Sequence, residues 1–213
     1  MSSTRTPRSD ALANRAGIIA AARTALASDP HASVDAIART AGVSRRTIYG
    51  HFADRDALIR ELIASGARRF NALATSVDDD DPQVALARLA ALMWHEAAHV
   101  RITAALALDD AHLAETAAAL APLRRVLADI VRRGRRGERM RTDIDAGMLA
   151  RLIEEVARTV VSRNLADETG AELAAAADAV VRIVLSIAGL SWRDADAVLR
   201  DHPDVLVPAQ SAE

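Results

Sequence analysis

Small aliphatic residues and Arg, recurring three and four positions apart along nearly the whole chain, leave this sequence one regular structure to adopt. Hydrophobic residues fill 51% of the 213 positions while aromatics fill only 2%. The aromatic residues that enrich strands are thus nearly missing, and strong helix formers such as Ala, Leu and Arg abound. An all-α fold follows. Small side chains let helix axes approach closely, and a chain of this length buries enough core to do without disulfides or metals. It contains no Cys, which excludes a disulfide framework, a thiol nucleophile and a thiolate metal site. No apolar run reaches the ~20 residues of a membrane span. The polar opening, Met1 to Asp10, lacks the apolar stretch of a signal peptide, so a cytoplasmic protein with no membrane partner is expected.

Charge divides the chain. All 27 basic residues are Arg, and residues 1–70 hold 11 of them against six acids, a net of +5. The remainder carries 16 against 23, a net of -7. A basic N-terminal third on an acidic body suits a nucleic-acid-binding head joined to a body with another task.

Capping and breaking signals organise the helices. The first is expected from about Asp10 to Ala27, with Ile18, Ile19, Ala22 and Leu26 on one face, ended by Asp29-Pro30. Ser33 caps a short helix through Thr40, Ala41-Gly42-Val43 forms a tight turn, and Ser44 caps another short helix to about Gly50. Asp54 caps a longer helix into the mid-seventies, with Leu58, Leu62 and Ile63 inward. The acidic run Asp78 to Asp81 reads as a solvated cap for a helix with Pro82 at its first position. Further helices are expected over 82–98, 100–108 and 111–134, with Gly134 and Gly137 opening a basic loop. Thr142 with Asp145, and Thr169 with Glu172, read as capping boxes for helices to about Leu165 and Ala188, and Ser191 with Asp194 begins a short last helix. The expected layout is about nine to ten helices: a disordered arm over 1–9, a three-helix helix-turn-helix head over 10–55, a connecting helix over 56–78, a larger ligand-binding and dimerisation body over 79–190, and a short helix and tail over 191–213.

The segment Ser33 to Leu62 carries the function. Ala38, Gly42 and Ile48 stand at helix-turn-helix spacing: a small residue where two short helices cross, a glycine for the left-handed turn, and an apolar anchor that works with Val43 to bury the second helix. Tyr49-Gly50-His51-Phe52 follows, then Arg55 and Leu58. Together with Ala41-Gly42-Val43-Ser44, these residues resemble the TetR family of regulators over about residues 10–65. Gly50 departs from the family pattern by lacking a side chain that often touches the DNA backbone, and Arg55 replaces the usual Lys. The resemblance implies a DNA-binding regulator, usually a repressor, that acts as a homodimer on a palindromic operator and answers to a small-molecule effector. It needs no cofactor, and no catalytic or metal-binding residue is expected.

The chemistry stands on the residues themselves. A recognition helix lies in the major groove with its first turn nearest the bases. Arg45 and Arg46 occupy that turn, and each offers a bidentate pair to guanine O6 and N7. Thr47 can touch a thymine methyl or a phosphate. Ser44, Tyr49 and His51 are placed for backbone phosphates, which set register. Arg55, just after the cap Asp54, can grip a phosphate together with helix-terminal N–H groups. Phe52 and Ile48 belong to the core. Arg5 and Arg8 could form a minor-groove arm, although an inert tail is the favoured reading.

Two features compete for attention. His95-Glu96-Ala97-Ala98-His99 spells the zinc-protease signature H-E-x-x-H, with His112 and Glu115 as candidate further ligands. A zinc hydrolase would account for five residues only, and a plain helical interaction protein would not account for Arg45, Arg46 and Tyr49. Lining of an effector pocket by Trp94, His95 and His99, or a chance match, is weighed against the zinc reading; Met93, Met140 and Met148 could be adaptable walls of that pocket, with core filling an equal alternative for each. The second basic run, Arg132, Arg133, Arg135, Arg136, Arg139 and Arg141, complements the negative end of the preceding helix and stays solvated. Leu149, Leu152, Ile153, Val156 and Val160 on one late helix, and Leu173, Val180, Val181, Val184 and Leu185 on the next, are apolar on more than one face. Such helices also suit an ordinary internal core; the TetR resemblance implies instead a four-helix dimer interface, with Leu149, Ile153, Val156, Val160, Val180, Val181, Val184 and Leu185 expected there.

Overall fold

A computed structural model describes residues 7–29, 31–99, 112–164 and 170–207, and among these all regular structure is helical. The chain divides into two compact units, one formed by Met1–Gly66 with Ile102–Thr116, the other by Ala67–Arg101 with Ala117–Glu213. No described helix is long and apolar enough to cross a membrane.

The first unit is built on α1 (Pro7–Ser28), α2 (Val34–Ala41), α3 (Arg45–His51) and the start of α4 (Arg55–Thr75). Helix α1 opens at Pro7, three residues before its expected start at Asp10. Local hydrogen bonds set the other boundaries. Ser33 Oγ accepts from Ala36 N, Ser44 Oγ from Thr47 N and Asp54 Oδ1 from Ala57 N, each relieving an orphan donor of a first turn. Gly42 closes α2 at φ +65°, and Val43 N returns to Ala38 O at 3.0 Å. Ile18, Leu26, Ile37, Ile48, Phe52, Leu58 and Leu62 then meet in one apolar cluster. Arg15 clamps that cluster from α1: its guanidinium lies 4.5 Å above the Phe52 ring, donates to His51 O at 3.1 Å and pairs with Glu61 at 2.8 Å.

The second unit holds the end of α4, α5 (Pro82–His99), α7 (Ala121–Arg136), α8 (Ala146–Asn164), α9 (Gly170–Ile187), α10 (Trp192–Asp201) and a 3-10 turn (Pro203–Leu206). A seven-residue α6 (Leu113–Ala119) begins in the first unit and ends in the second. Helix α5 leaves none of residues 82–98 exposed, with Val84, Ala85, Leu86, Ala87, Leu89, Ala91 and Trp94 all buried. Such a helix must be covered all round, and α7, α8, α9 and the 3-10 turn pack on it. Asp81 starts it as expected, accepting from Gln83 N at 2.8 Å. The acidic run is less solvated than its sequence suggests, because Asp79 pairs with Arg88 at 2.7 Å and Asp81 with Arg139 at 2.7 Å.

Several expectations are corrected here. The helix expected over 111–134 is two, broken at Leu120, because Pro122 lacks the N–H to continue α6 and serves instead in the first turn of α7. Gly134 is no loop residue: it is buried inside α7, where a Cβ would lie 2.5 Å from Met140 Sδ, so its bare backbone admits that side chain. Asp145 is itself the cap of α8, accepting from Gly147 N and Met148 N, and not the partner of a Thr142 box. The Ser191–Asp194 box forms in full. The stretch 100–108, Thr169 and the tail from 208 lie outside the described residues.

Of the eight residues expected at a dimer face, six are core residues. Leu149, Ile153, Val180, Val181, Val184 and Leu185 are buried within the single chain, in the same apolar cluster as Trp94. Val160 packs against that cluster and Val156 is half-buried. Their spacing marks the faces that α8 and α9 turn toward the core, leaving Met148, Leu152 and Ile183 exposed on the same helices.

Candidate nucleic-acid interface

Helix α3 is short, and its ends are held by its own head. Ser44 Oγ caps it and also lies 2.8 Å from Thr47 Oγ1, so both hydroxyls are engaged at the first turn. Ile48 points into the core and fixes the rotation of the helix about its axis. That rotation leaves Arg45, Arg46, Tyr49 and Gly50 exposed, with Thr47 and His51 half-buried. No atom lies within 4 Å of a Cβ built at Gly50, so the missing side chain leaves open space.

The two arginines are not equivalent. Arg45 turns back on its own domain: one guanidinium nitrogen lies 3.2 and 3.4 Å from the Asp35 carboxylate oxygens. The other donates to Tyr49 Oη at 3.3 Å, and the group sits 5.4 Å from the centre of the Tyr49 ring. The Tyr49 hydrogen bond first, and the Asp35 charge next, hold its pKa above the usual arginine value. Arg46 is exposed and makes no ion pair with any described residue. Arg55, expected at a phosphate, is half-buried and donates through Nε to Ala32 O at 3.2 Å, tying the start of α4 to the loop before α2.

The other sequence candidates separate. Trp94 is wholly buried in the core of the second unit, Met140 is buried against Gly134, and Met93 packs on that core, whereas Met148 is exposed at the start of α8. His95 is half-buried, with Nε2 3.1 Å from Leu206 O. Glu96, the would-be base of the zinc signature, is buried and gripped by Arg69. One oxygen accepts from a terminal nitrogen at 3.1 Å, and the other lies 2.9 Å from Nε. His112 pairs with Glu115 at 3.4 Å. The side chains of Arg8 and His99, and all of Arg5, lie outside the described part. Among the described residues no group of three or more His, Asp or Glu is placed to hold a metal ion.

The basic run at the end of α7 is more engaged than a solvated face. Arg132 and Arg133 share Asp129, Arg133 also donates to Asp79 O, and Arg141 chelates Asp143 at 2.7 and 2.8 Å. Arg135 donates to Thr142 O at 2.9 Å, and with Arg132 and Arg136 it lines an open depression of about 350 Å³ beside Ala146.

Asp35 and Arg15 escaped the sequence reading. Asp35 is ten residues from Arg45 and meets it only because the Gly42 turn folds α3 back on α2, so a helix-turn-helix geometry is the only signal that finds it. Arg15 joins residues 36 and 46 positions away, and no local spacing points to it.

Residues 18–62 match the family described as bacterial regulatory proteins, tetR family. None of the curated proteins matches the chain. Among solved structures, the FadR transcriptional regulator of Bacillus subtilis in complex with stearoyl-CoA aligns at TM-score 0.71 and 18% identity, over 83% of this chain and 99% of that one. A tetR-family regulatory protein from Rhodococcus RHA1 aligns at 0.69 and 21%, over 84% and 98%. RolR in complex with resorcinol aligns at 0.61 and 18%, over 89% and 94%. At these identities the likeness establishes the fold.

Proposed function

We propose that this chain, by its head over residues 18–62 a member of the tetR family of bacterial regulatory proteins, represses transcription as a homodimer released from a palindromic operator by a small molecule. That it is a DNA-binding transcription regulator is the premise. The observation carrying the finer reading is the exposed edge of α3, where Arg45, Arg46 and Tyr49 project from a helix capped at Ser44 and anchored by Ile48. Arg46, without an ion pair among the described residues, offers its guanidinium fork to a guanine edge, Tyr49 and Ser44 are backbone contacts, and Thr47 and His51 flank them. Arg55 keeps its charge at the start of α4 while bonding Ala32 O, which makes it a brace between the start of α4 and the loop before α2.

Dimerisation pairs two heads about one DNA turn apart, ~34–36 Å. With Leu149, Ile153, Val180, Val181, Val184 and Leu185 buried in the chain's own core, Met148, Leu152 and Ile183 are the positions through which we place the second copy. Two structural neighbours hold stearoyl-CoA and resorcinol, which supports an effector with a substantial apolar part. Met93 and His95, half-buried beside Trp94 on α5, are the contacts we retain for it. An effector that binds one body conformation must weaken operator binding by the factor by which the operator weakens effector binding. The moving element is α4, which begins in one unit and ends in the other, and Asn71 ties its far end to the α6–α7 junction.

The test is selection of duplexes from a random-sequence pool by the full-length protein, followed by titration across salt. A palindrome should emerge, and the R45A/R46A/Y49A variant should lose it while keeping wild-type helicity. Retention of the same duplex at the same affinity by that variant would end the proposal.

A further inference from the structure

Asp35 lies in the first turn of α2, where its charge favours that helix whether or not it meets Arg45, so the pairing itself adds little to the fold. Both side chains are more than half exposed, at 51% and 59%, and ion pairs so open to water add little to folding. Nor does the carboxylate fill an empty cavity or satisfy a buried donor. Its visible effect is on Arg45 itself, whose long side chain is held at three points: the carboxylate, the Tyr49 hydroxyl and the Tyr49 ring. Arg46, one residue on, has no such restraint among the described residues. A negative charge beside the first turn of α3 is also costly for a surface that approaches phosphates, so it weakens every DNA complex that does not repay it.

We infer that Asp35 is a specificity-determining positioning residue: it holds the Arg45 guanidinium in a fixed fork for one base pair and withholds it from the phosphate backbone. This rests on the DNA-binding reading given above. A guanidinium fork reads guanine through two parallel hydrogen bonds, and pre-ordering reduces the side-chain freedom lost in forming them. Freed of its carboxylate, the same group becomes a mobile point charge that binds any phosphate, adding affinity without sequence information. Tyr49 is the second arm of the holder, and its ring keeps the guanidinium plane from swinging outward.

The experiment uses full-length protein, the duplex that the wild type recovers from a random pool, all its single-base variants and one unrelated duplex. D35N should bind the unrelated duplex more tightly and with a log–log salt slope steeper by roughly one. Discrimination should fall by roughly tenfold at one base pair of each half-site, and remain unchanged elsewhere. In an R45A background the D35N change should have no effect on either quantity. Circular dichroism and melting of D35N, at an exposed site, are expected to match the wild type. If D35N multiplies the affinity for every duplex by one common factor, Asp35 acts as bulk charge and the inference falls. It falls equally if the D35N effect survives in R45A. A wild type that recovers no sequence at all would instead overturn the DNA-binding reading, and this inference with it.

Discussion

Asn71 offers the sharpest stability test in the second unit. From α4 its carboxamide reaches the junction where α6 ends and α7 begins: Nδ2 donates to Ala119 O at 2.9 Å, and Oδ1 accepts from Leu123 N at 3.1 Å. One side chain thus satisfies an orphan carbonyl and an orphan amide left by the break at Leu120. Replacing it with Leu keeps the volume and removes both bonds. A hydrogen bond contributes ~0.5–1.5 kcal/mol net, and the stranded backbone groups here are only half-buried, so water offsets part of the loss. The expected destabilisation is about 2 kcal/mol. For a cooperative unit of about 130 residues, unfolding entropy near 2.1 cal/mol/K per residue converts this to a Tm lower by about 7 °C. N71D keeps the acceptor at the α7 N-terminus, where a negative charge is favoured, and should recover about half the loss. Thermal unfolding followed by circular dichroism reads all three proteins. An N71L melt within about 1 °C of wild type would show that the junction does not depend on these bonds.

Other consequences are as direct. Gly42→Ala places a Cβ in open space at φ +65°, so its cost is backbone strain alone, about 1 kcal/mol; G42N should cost less, measured as hydrogen-exchange protection of α2 and α3 amides. Asp143 is held at a pKa of about 2, chiefly by its hydrogen bond from Arg141. Because the folded value lies below the ordinary 3.8, the pair's stabilisation is full above that pH and is lost as pH falls toward 2. NMR titration should find that midpoint, and R141A should return it to the ordinary range. Arg69→Ala strands the buried Glu96 carboxylate and should cost about 1–3 kcal/mol, discounted because Arg69 is half exposed, while adding E96Q should restore much of it, read from denaturant midpoints. L152R with I183R should yield monomers in sedimentation with an unchanged circular dichroism spectrum, whereas a persistent dimer would place the interface elsewhere.

How much of this was legible in the sequence depends on the reach of each interaction. Ser33, Ser44, Asp54 and the Ser191–Asp194 box announce their helix starts because a cap bonds its own chain two or three residues on. Gly42 announces the turn because few residues other than Gly adopt its dihedral angles readily. These signals are local, and with the charge division and the Tyr49-to-Arg55 pattern they suffice for a helical regulator with a helix-turn-helix head. Apolar periodicity goes one step further and stops: it marks that Leu149, Ile153, Val181 and Leu185 share buried faces, but not whether the covering partner is the same chain or a copy.

Tertiary structure alone decided the rest. It assigned those faces to the core around α5, seated Met140 on the bare backbone of Gly134, and committed Glu96 to Arg69 across 27 residues. It also set Arg45 apart from Arg46, two neighbours identical in sequence terms, by folding Asp35 against one of them. The reason is physical. A cap or a turn is stabilised by atoms a few bonds away, so composition at that spot determines it, whereas a pairing between distant residues exists only after the chain has closed the loop between them.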